Sequence, residues 1–181
     1  MVGYFRKPIK LTLFIVLLLT ILQCSNKTGS ELPKDILGVS VGMSRDDAER
    51  QLRQIGKFSR EEAGRQQLWL VREDGHFGSV AVGYDNENRV RYVAGIAKAK
   101  GGEPMRFSQV GDVKSAKAEI VEPSHKYVWE VPEKNGSPAH TIIAQGGSAE
   151  YLAMLTFVNS ASKNEENEEE EEERREREER K

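Results

Sequence analysis

Leu68-Trp69-Leu70-Val71, Val80-Ala81-Val82-Gly83-Tyr84 and Val90-Arg91-Tyr92-Val93-Ala94-Gly95-Ile96 follow one another with only polar segments between them. Short runs rich in β-branched and aromatic residues, separated by Asp74-Gly75 and by Asp85-Asn86-Glu87-Asn88, read as a three-stranded antiparallel meander. The chain then repeats the pattern. Tyr127-Val128-Trp129-Glu130-Val131, Thr141-Ile142-Ile143-Ala144 and Tyr151-Leu152-Ala153-Met154-Leu155-Thr156-Phe157 are separated by Asn135-Gly136 and by Gln145-Gly146-Gly147-Ser148. The two tryptophans fall at equivalent points of the two meanders, which suggests an internal repeat.

Working outward from the first meander, Ser44 reads as a helix N-cap, with Asp47 three residues on and Gly56 as the stop. Ala48, Leu52 and Ile55 share one face of that helix, and Met43 is placed to staple onto Ala48. An apolar helix face needs a sheet to cover it. Before the second meander, Val110-Gly111-Asp112-Val113 echoes Val41-Gly42-Met43-Ser44, with Ala116 near the place of Ala48. The continuation through Ile120 and Val121 to Pro123 is a poor helix, so a short or lost second helix is expected. The expectation is an α+β fold, a helix packed on an antiparallel three-stranded meander, in two tandem repeats that form one domain. The first unit covers residues 35–100 and the second, degenerate unit covers 101–160.

The order Gly42-Met43-Ser44, capped helix, three-stranded meander resembles the SmpA/OmlA (BamE-type) small lipoproteins of the outer-membrane assembly machinery. Two such units in tandem resemble the β-lactamase inhibitor protein fold. The resemblance runs from about Leu37 to Ile96 and again from about Val110 to Phe157. It implies a helix-on-sheet layer and a protein-binding role.

The N-terminal end points to export. Arg6, Lys7 and Lys10 precede an apolar run from Leu11 to Leu22 that is broken only by Thr12 and Thr20. A spanning helix needs about 20 apolar residues, so this shorter run reads as a signal peptide, residues 1–23, rather than a permanent span. Ile21-Leu22-Gln23-Cys24 resembles a bacterial lipobox, although Gln23 stands where Gly, Ala or Ser is usual. In that family the sulfur carries a diacylglycerol and the chain is cut before it, so Cys24 is the expected lipid attachment site. Residues 24–34 then form a polar tether. The partner implied at this end is a membrane, reached through lipidated Cys24. The expected location is the bacterial envelope, on the outer membrane and facing the periplasm. Plain secretion and an uncleaved anchor are the alternatives.

Cys24 is the only cysteine, so an internal disulfide and a Cys-rich zinc site are both excluded. At the other end, residues 161–181 are a charged low-complexity tail, composed from Asn164 onward only of Asn, Glu, Arg and Lys. Such a segment has no apolar face to bury and reads either as a solubilising tail or as an electrostatic docking arm. With 27 basic and 29 acidic residues and no clustered basic stripe, the chain carries no nucleic-acid signature.

Chemistry is sparse. His76, His125 and His140 have no second ligand at metal spacing, and Asp85-Asn86-Glu87-Asn88 lacks the glycine and terminal glutamate of an EF-hand. No Gly-x-Ser-x-Gly elbow or phosphate-binding loop is present. The chain therefore reads as a non-enzyme without cofactor or metal.

Strand alternation offers more, because it forces a choice of faces. Tyr127, Trp129 and Val131 point to the core. By the repeat, Trp69 and Val71 do so too, leaving Leu68 and Leu70 outward. Beside Arg89 and Arg91 these two leucines form a candidate partner surface. The alternative is their burial by the loop 97–105 or by the other half. The functional expectation is an envelope lipoprotein acting as a non-catalytic binding or scaffolding module in outer-membrane assembly or maintenance, with an envelope protein as partner. The alternative is a secreted or lipid-anchored inhibitor or ligand-binding protein.

Overall fold

The computed structural model describes residues 31–62, 65–134 and 136–161. The signal-like segment 1–23, Cys24 and the charged tail from residue 162 lie outside the described residues. Among those described, no helix is long and apolar enough to cross a membrane.

Helix α1 (Arg45–Ile55) begins as its capping residues dictate. The Ser44 side chain accepts a hydrogen bond from the Asp47 backbone N–H, and Asp46 and Asp47 place negative charge in the first turn. At its other end the chain does not pause. Gly56 is extended, its N–H donates to Leu52 O, and it pairs at once with Val71. A Cβ there would lie 2.5 Å from Leu70 O, so only glycine lets the helix run straight into a strand at this distance.

Four strands follow as one meander: β1 (Gly56–Glu62), β2 (Gln66–Val71), β3 (Phe77–Tyr84) and β4 (Val90–Ala97). A single short turn of helix, α2 (Phe107–Val110), precedes a second meander of β5 (Lys117–Val121), β6 (Ser124–Val131), β7 (His140–Gly146) and β8 (Met154–Asn159). The two meanders join edge to edge through β4 and β8. The result is one antiparallel eight-stranded sheet in the order β1-β2-β3-β4-β8-β7-β6-β5.

This corrects the α+β expectation. Among the described residues the fold is predominantly β, with an eleven-residue helix and a four-residue one beside eight strands. Each meander has four strands rather than three. The added strand comes first in each half, and both were hidden for the same reason. β1 (GKFSREE) and β5 (KAEIV) are the outer edges of the sheet, are almost wholly exposed, and are charged as edges commonly are. The second helix also lies elsewhere than expected. It ends at Gly111 instead of beginning after it, and residues 112–116 turn through the Asp112 carbonyl, which accepts from Ser115 N at 3.0 Å. Gly111 therefore corresponds to Gly56, not to Gly42.

One sheet face is covered. Ala48 and Leu52 of α1, Phe107 and Val110 of α2, and Ile36, Val39 and Val41 of the leading segment are buried against Trp69, Val80, Val82, Val93, Trp129, Ile142 and Phe157. Leu32, within the expected tether, also packs on this core, and a Cβ on Gly111 would meet it at 2.6 Å.

Candidate functional site

Because side chains alternate along a strand, burying Trp69, Val80, Val93, Phe157, Ile142 and Trp129 on one face commits their neighbours to the other. The ladder register arranges those neighbours in three rows that run across the strands. The first is Leu70, Ser79, Ile96, Met154 and Gln145; the middle is Leu68, Ala81, Ala94, Thr156, Ile143 and Val128; the last is Gln66, Gly83, Tyr92, Val158 and Thr141. From β2 to β7 none of these side chains is charged. Charge appears toward the flanks, with Lys57, Arg60 and Glu62 on β1, Lys126 and Glu130 on β6, and Lys117 and Glu119 on β5, and at Arg91, whose guanidinium lies against the Tyr92 ring.

The face is open. Leu70 is 49% exposed and Ile96 is 38% exposed, although both are large and apolar. The middle row is recessed between its neighbours, and Ala81 and Ala94 are only 8% and 7% exposed. On β4 and β8 the row is made of Ala94 and Thr156, with Ile96 and Met154 on one side and Tyr92 and Val158 on the other. In the last row Tyr92 lies flat over Gly83, where a Cβ would come within 2.1 Å of its ring, and its hydroxyl donates to Gln66 Oε1. Thr141, at the far end of that row, is buried and donates to Glu130 Oε2 at 2.9 Å. These rows span four interstrand steps from β2 to β7, about 19 Å, by about 14 Å along the strands. An apolar patch of a few hundred Å² is the size that marks an interaction site.

The residues singled out from the sequence divide. Leu68 and Leu70 lie on the open face, with Leu68 half-buried in the middle row. Arg91 is the extra residue of a β-bulge between Val90 and Tyr92, and its guanidinium lies 5.4 Å from the Tyr92 ring centroid. Arg89 sits apart at the β3–β4 turn, donating to Gly42 O at 3.2 Å beside the start of α1. Ala81, Ala94, Ile96, Met154 and Thr156 were not singled out. Their alternation with buried residues was visible in the sequence, but the β4–β8 pairing that gathers them was not.

Beneath the covered face, a polar network fixes α1 to the sheet. Trp69 Nε1 and Tyr84 Oη donate to Gln67 Oε1 at 3.1 and 3.3 Å, Gln67 Nε2 donates to Glu49 Oε1 at 2.9 Å, and Arg45 Nε reaches the same oxygen at 3.0 Å. The Arg45 guanidinium lies 5.1 Å from the Tyr84 ring centroid. Burial pushes the Glu49 carboxyl up, but the hydrogen bonds from Gln67 and Arg45 and the charges of Arg45 and Arg53 outweigh it, leaving the group below its ordinary range. Tyr84 is pushed up to about 12, mainly by burial and then by the Glu49 charge. With every member hydrogen-bonded, this network is a register lock rather than a reactive centre.

The histidines follow a backbone habit. His125 and His140 each direct Nδ1 to the carbonyl of a proline two residues earlier, Pro123 at 3.2 Å and Pro138 at 3.0 Å, so Nδ1 carries the proton. His76 Nδ1 meets Glu103 O at 2.8 Å. Among the described residues no group of three or more His, Cys, Asp or Glu is placed to hold a metal ion. A cavity of about 450 Å³ lies between the leading segment and the β6–β7 connection, lined by Leu32, Pro33, Val131, Pro132 and His140 among others. Its wall also carries Ser137 and Lys134, and the buried Nε2 of His140 has no hydrogen-bond partner.

No protein family profile, characterised protein or solved structure matches the chain.

Proposed function

We propose that this protein is a bacterial envelope lipoprotein whose open sheet face is a non-catalytic protein-binding surface. The observation that carries the binding role is the uncharged face from β2 to β7, on which Leu70 and Ile96 stand exposed. Leaving such a surface in water is unfavourable by about 25 cal/mol for each Å² of apolar area, and a partner that covers it recovers that free energy. The anchoring role is supported by the basic and apolar run up to Leu22 and by the single thiol of Cys24 immediately beyond it. Two or three acyl chains on that sulfur would hold the protein on a bilayer far more firmly than one. The lipid sets the location, and the sheet face makes the contact. The intended partner is an integral protein of the outer membrane.

The test places a photo-crosslinking residue at Leu70 or Ile96 in intact cells, with Arg50 on the exposed side of α1 as the control. Capture of integral outer-membrane proteins from the sheet positions, and not from Arg50, is the expected result. Equal capture from all three positions would sink the reading. Recovery of soluble enzymes alone would instead support the inhibitor alternative, which uses the same face.

A further inference from the structure

We infer that the cavity between the leading segment and the β6–β7 connection is a binding site for a small neutral molecule with an apolar body and a hydroxyl group, and that this hydroxyl donates to Nε2 of His140.

The walls come first. Leu32 and Pro33 on one side and Val131 and Pro132 on the other supply apolar surface, while Ser137 and the charged residues stand at the exposed rim. Leu32 is held in place by the core, where it packs beside Gly111. Of the residues that line the cavity only His140 is buried, at 7% exposure, which puts it at the inner end. A volume of about 450 Å³, apolar walls and a polar group at depth are the make-up of a small-molecule pocket. His140 shares the covered side of β7 with Ile142, two residues on, so the site lies across the sheet from the protein-binding face and neither reading depends on the other.

The ring dictates the chemistry. Nδ1 donates to Pro138 O at 3.0 Å, and one face of the ring stacks on Phe157, with centroids 5.8 Å apart and planes 21° apart. With the proton held at Nδ1, Nε2 offers a lone pair that can only accept. That atom is buried and meets no partner. An unmet buried acceptor is unfavourable, so a ligand that brings a donor to it is preferred over one of similar shape that does not. His125 supplies a contrast within the same chain. It is equally buried and makes the same Nδ1 bond to a proline carbonyl, but it does not line the cavity.

Three other occupants fit less well. A metal ion would find one imidazole, since among the described residues no group of three or more ligating side chains is placed together. The rim carries Lys34 and Lys134, but Lys34 faces Glu31 at 3.1 Å, and an anion at the inner end would set its charge against the Nε2 lone pair. A plain hydrocarbon would cover the walls and leave Nε2 unmet.

The test uses the full chain in lipid nanodiscs, with nitrogen-15-labelled histidine, and two probes that differ in the donor alone, 2-naphthol and its methyl ether 2-methoxynaphthalene. Adding 2-naphthol should move the His140 Nε2 resonance upfield and leave the His125 resonances in place, and the ether should not move it. The naphthol should bind at least tenfold more tightly than the ether. His140→Phe, which keeps a ring on Phe157, should bring the two affinities within about twofold of each other; partition into lipid is common to protein and variant, so this ratio is the measure. Val131→Trp, which fills the cavity from its wall, should abolish binding of both probes. Equal affinities in the wild-type protein, or equal shifts at His125 and His140, would overturn the site. So would a His140 Nε2 resonance that already stands at its hydrogen-bonded position and does not respond to 2-naphthol, because the acceptor would then belong to a bound water only. The resonance is read in the wild-type chain, so the outcome does not depend on either variant folding.

Discussion

Trp69 and Trp129 stand at corresponding places in the two halves, Trp69 paired across the ladder with Val80 and Trp129 with Ile142. They are 3% and 4% exposed, and each lies against an aromatic neighbour, Phe58 at 5.4 Å and Tyr127 at 6.3 Å between ring centroids. Each indole N–H is also satisfied, by Gln67 Oε1 for Trp69 and by Asp112 O for Trp129.

Equivalent burial predicts equivalent loss. Trp69→Ala and Trp129→Ala should each destabilise the protein by about 3–5 kcal/mol, read from urea midpoints at constant m. A loss below about 1 kcal/mol at either site would show that the two halves do not share the core equally.

Glu49 predicts sensitivity to acid. Its folded pKa lies below the unfolded value, so its contribution is present above the ordinary glutamate range, about 4.3, and is lost as pH falls through the lower folded value. Urea midpoints between pH 7 and pH 3 should fall steeply below about pH 4.5. Glu49→Gln should be less stable at pH 7 and show a shallower acid slope. An unchanged slope would remove Glu49 from the network.

Tyr84 predicts the alkaline limit. Its folded pKa of about 12 lies above the ordinary value of 10.0, so its stabilisation is complete below 10 and is lost as pH rises through 12. Absorbance titration at the phenolate band should find one tyrosine ionising last, and Tyr84→Phe should remove that step. The same variant should lose about 0.5–1.5 kcal/mol at pH 7 through the bond to Gln67. Persistence of the late step in the variant would assign it elsewhere.

Anchoring has its own measurement. Cys24→Ala should release the protein from membranes, and the intact mass of the mature wild-type protein should report cleavage before Cys24 together with the acyl chains. Unchanged membrane retention, or a bare thiol in the finished chain, would refute lipid attachment.

Helix α1 was legible because its signals are local: Ser44 caps it and Ala48 and Leu52 share its buried stripe. The strands around Trp69 and Trp129 were legible because their alternation is strong. β1 and β5 escaped notice because an edge strand covered on neither side has no apolar period to display, and the burial pattern of β5 is exposed throughout. Ile120 and Val121 looked like the end of a weak helix, yet they are 54% and 76% exposed on a strand. The open face was half legible. Leu68 and Leu70 could be assigned outward from their own strand, but what lies beside them depends on β4 meeting β8, a contact between distant segments that no local pattern encodes.

That meeting also settles where the chain is most vulnerable to being cut short. The last of the described strands, β8, occupies the middle of the sheet, where Val93 faces Phe157 and Ala94 faces Thr156. A protein terminated or clipped before Met154 would not be a slightly smaller version of itself. It would be left as two meanders, each with a bare, apolar inner margin ready to pair with any passing strand. Damage at Met154–Asn159 should therefore yield aggregating fragments rather than a protein with reduced activity.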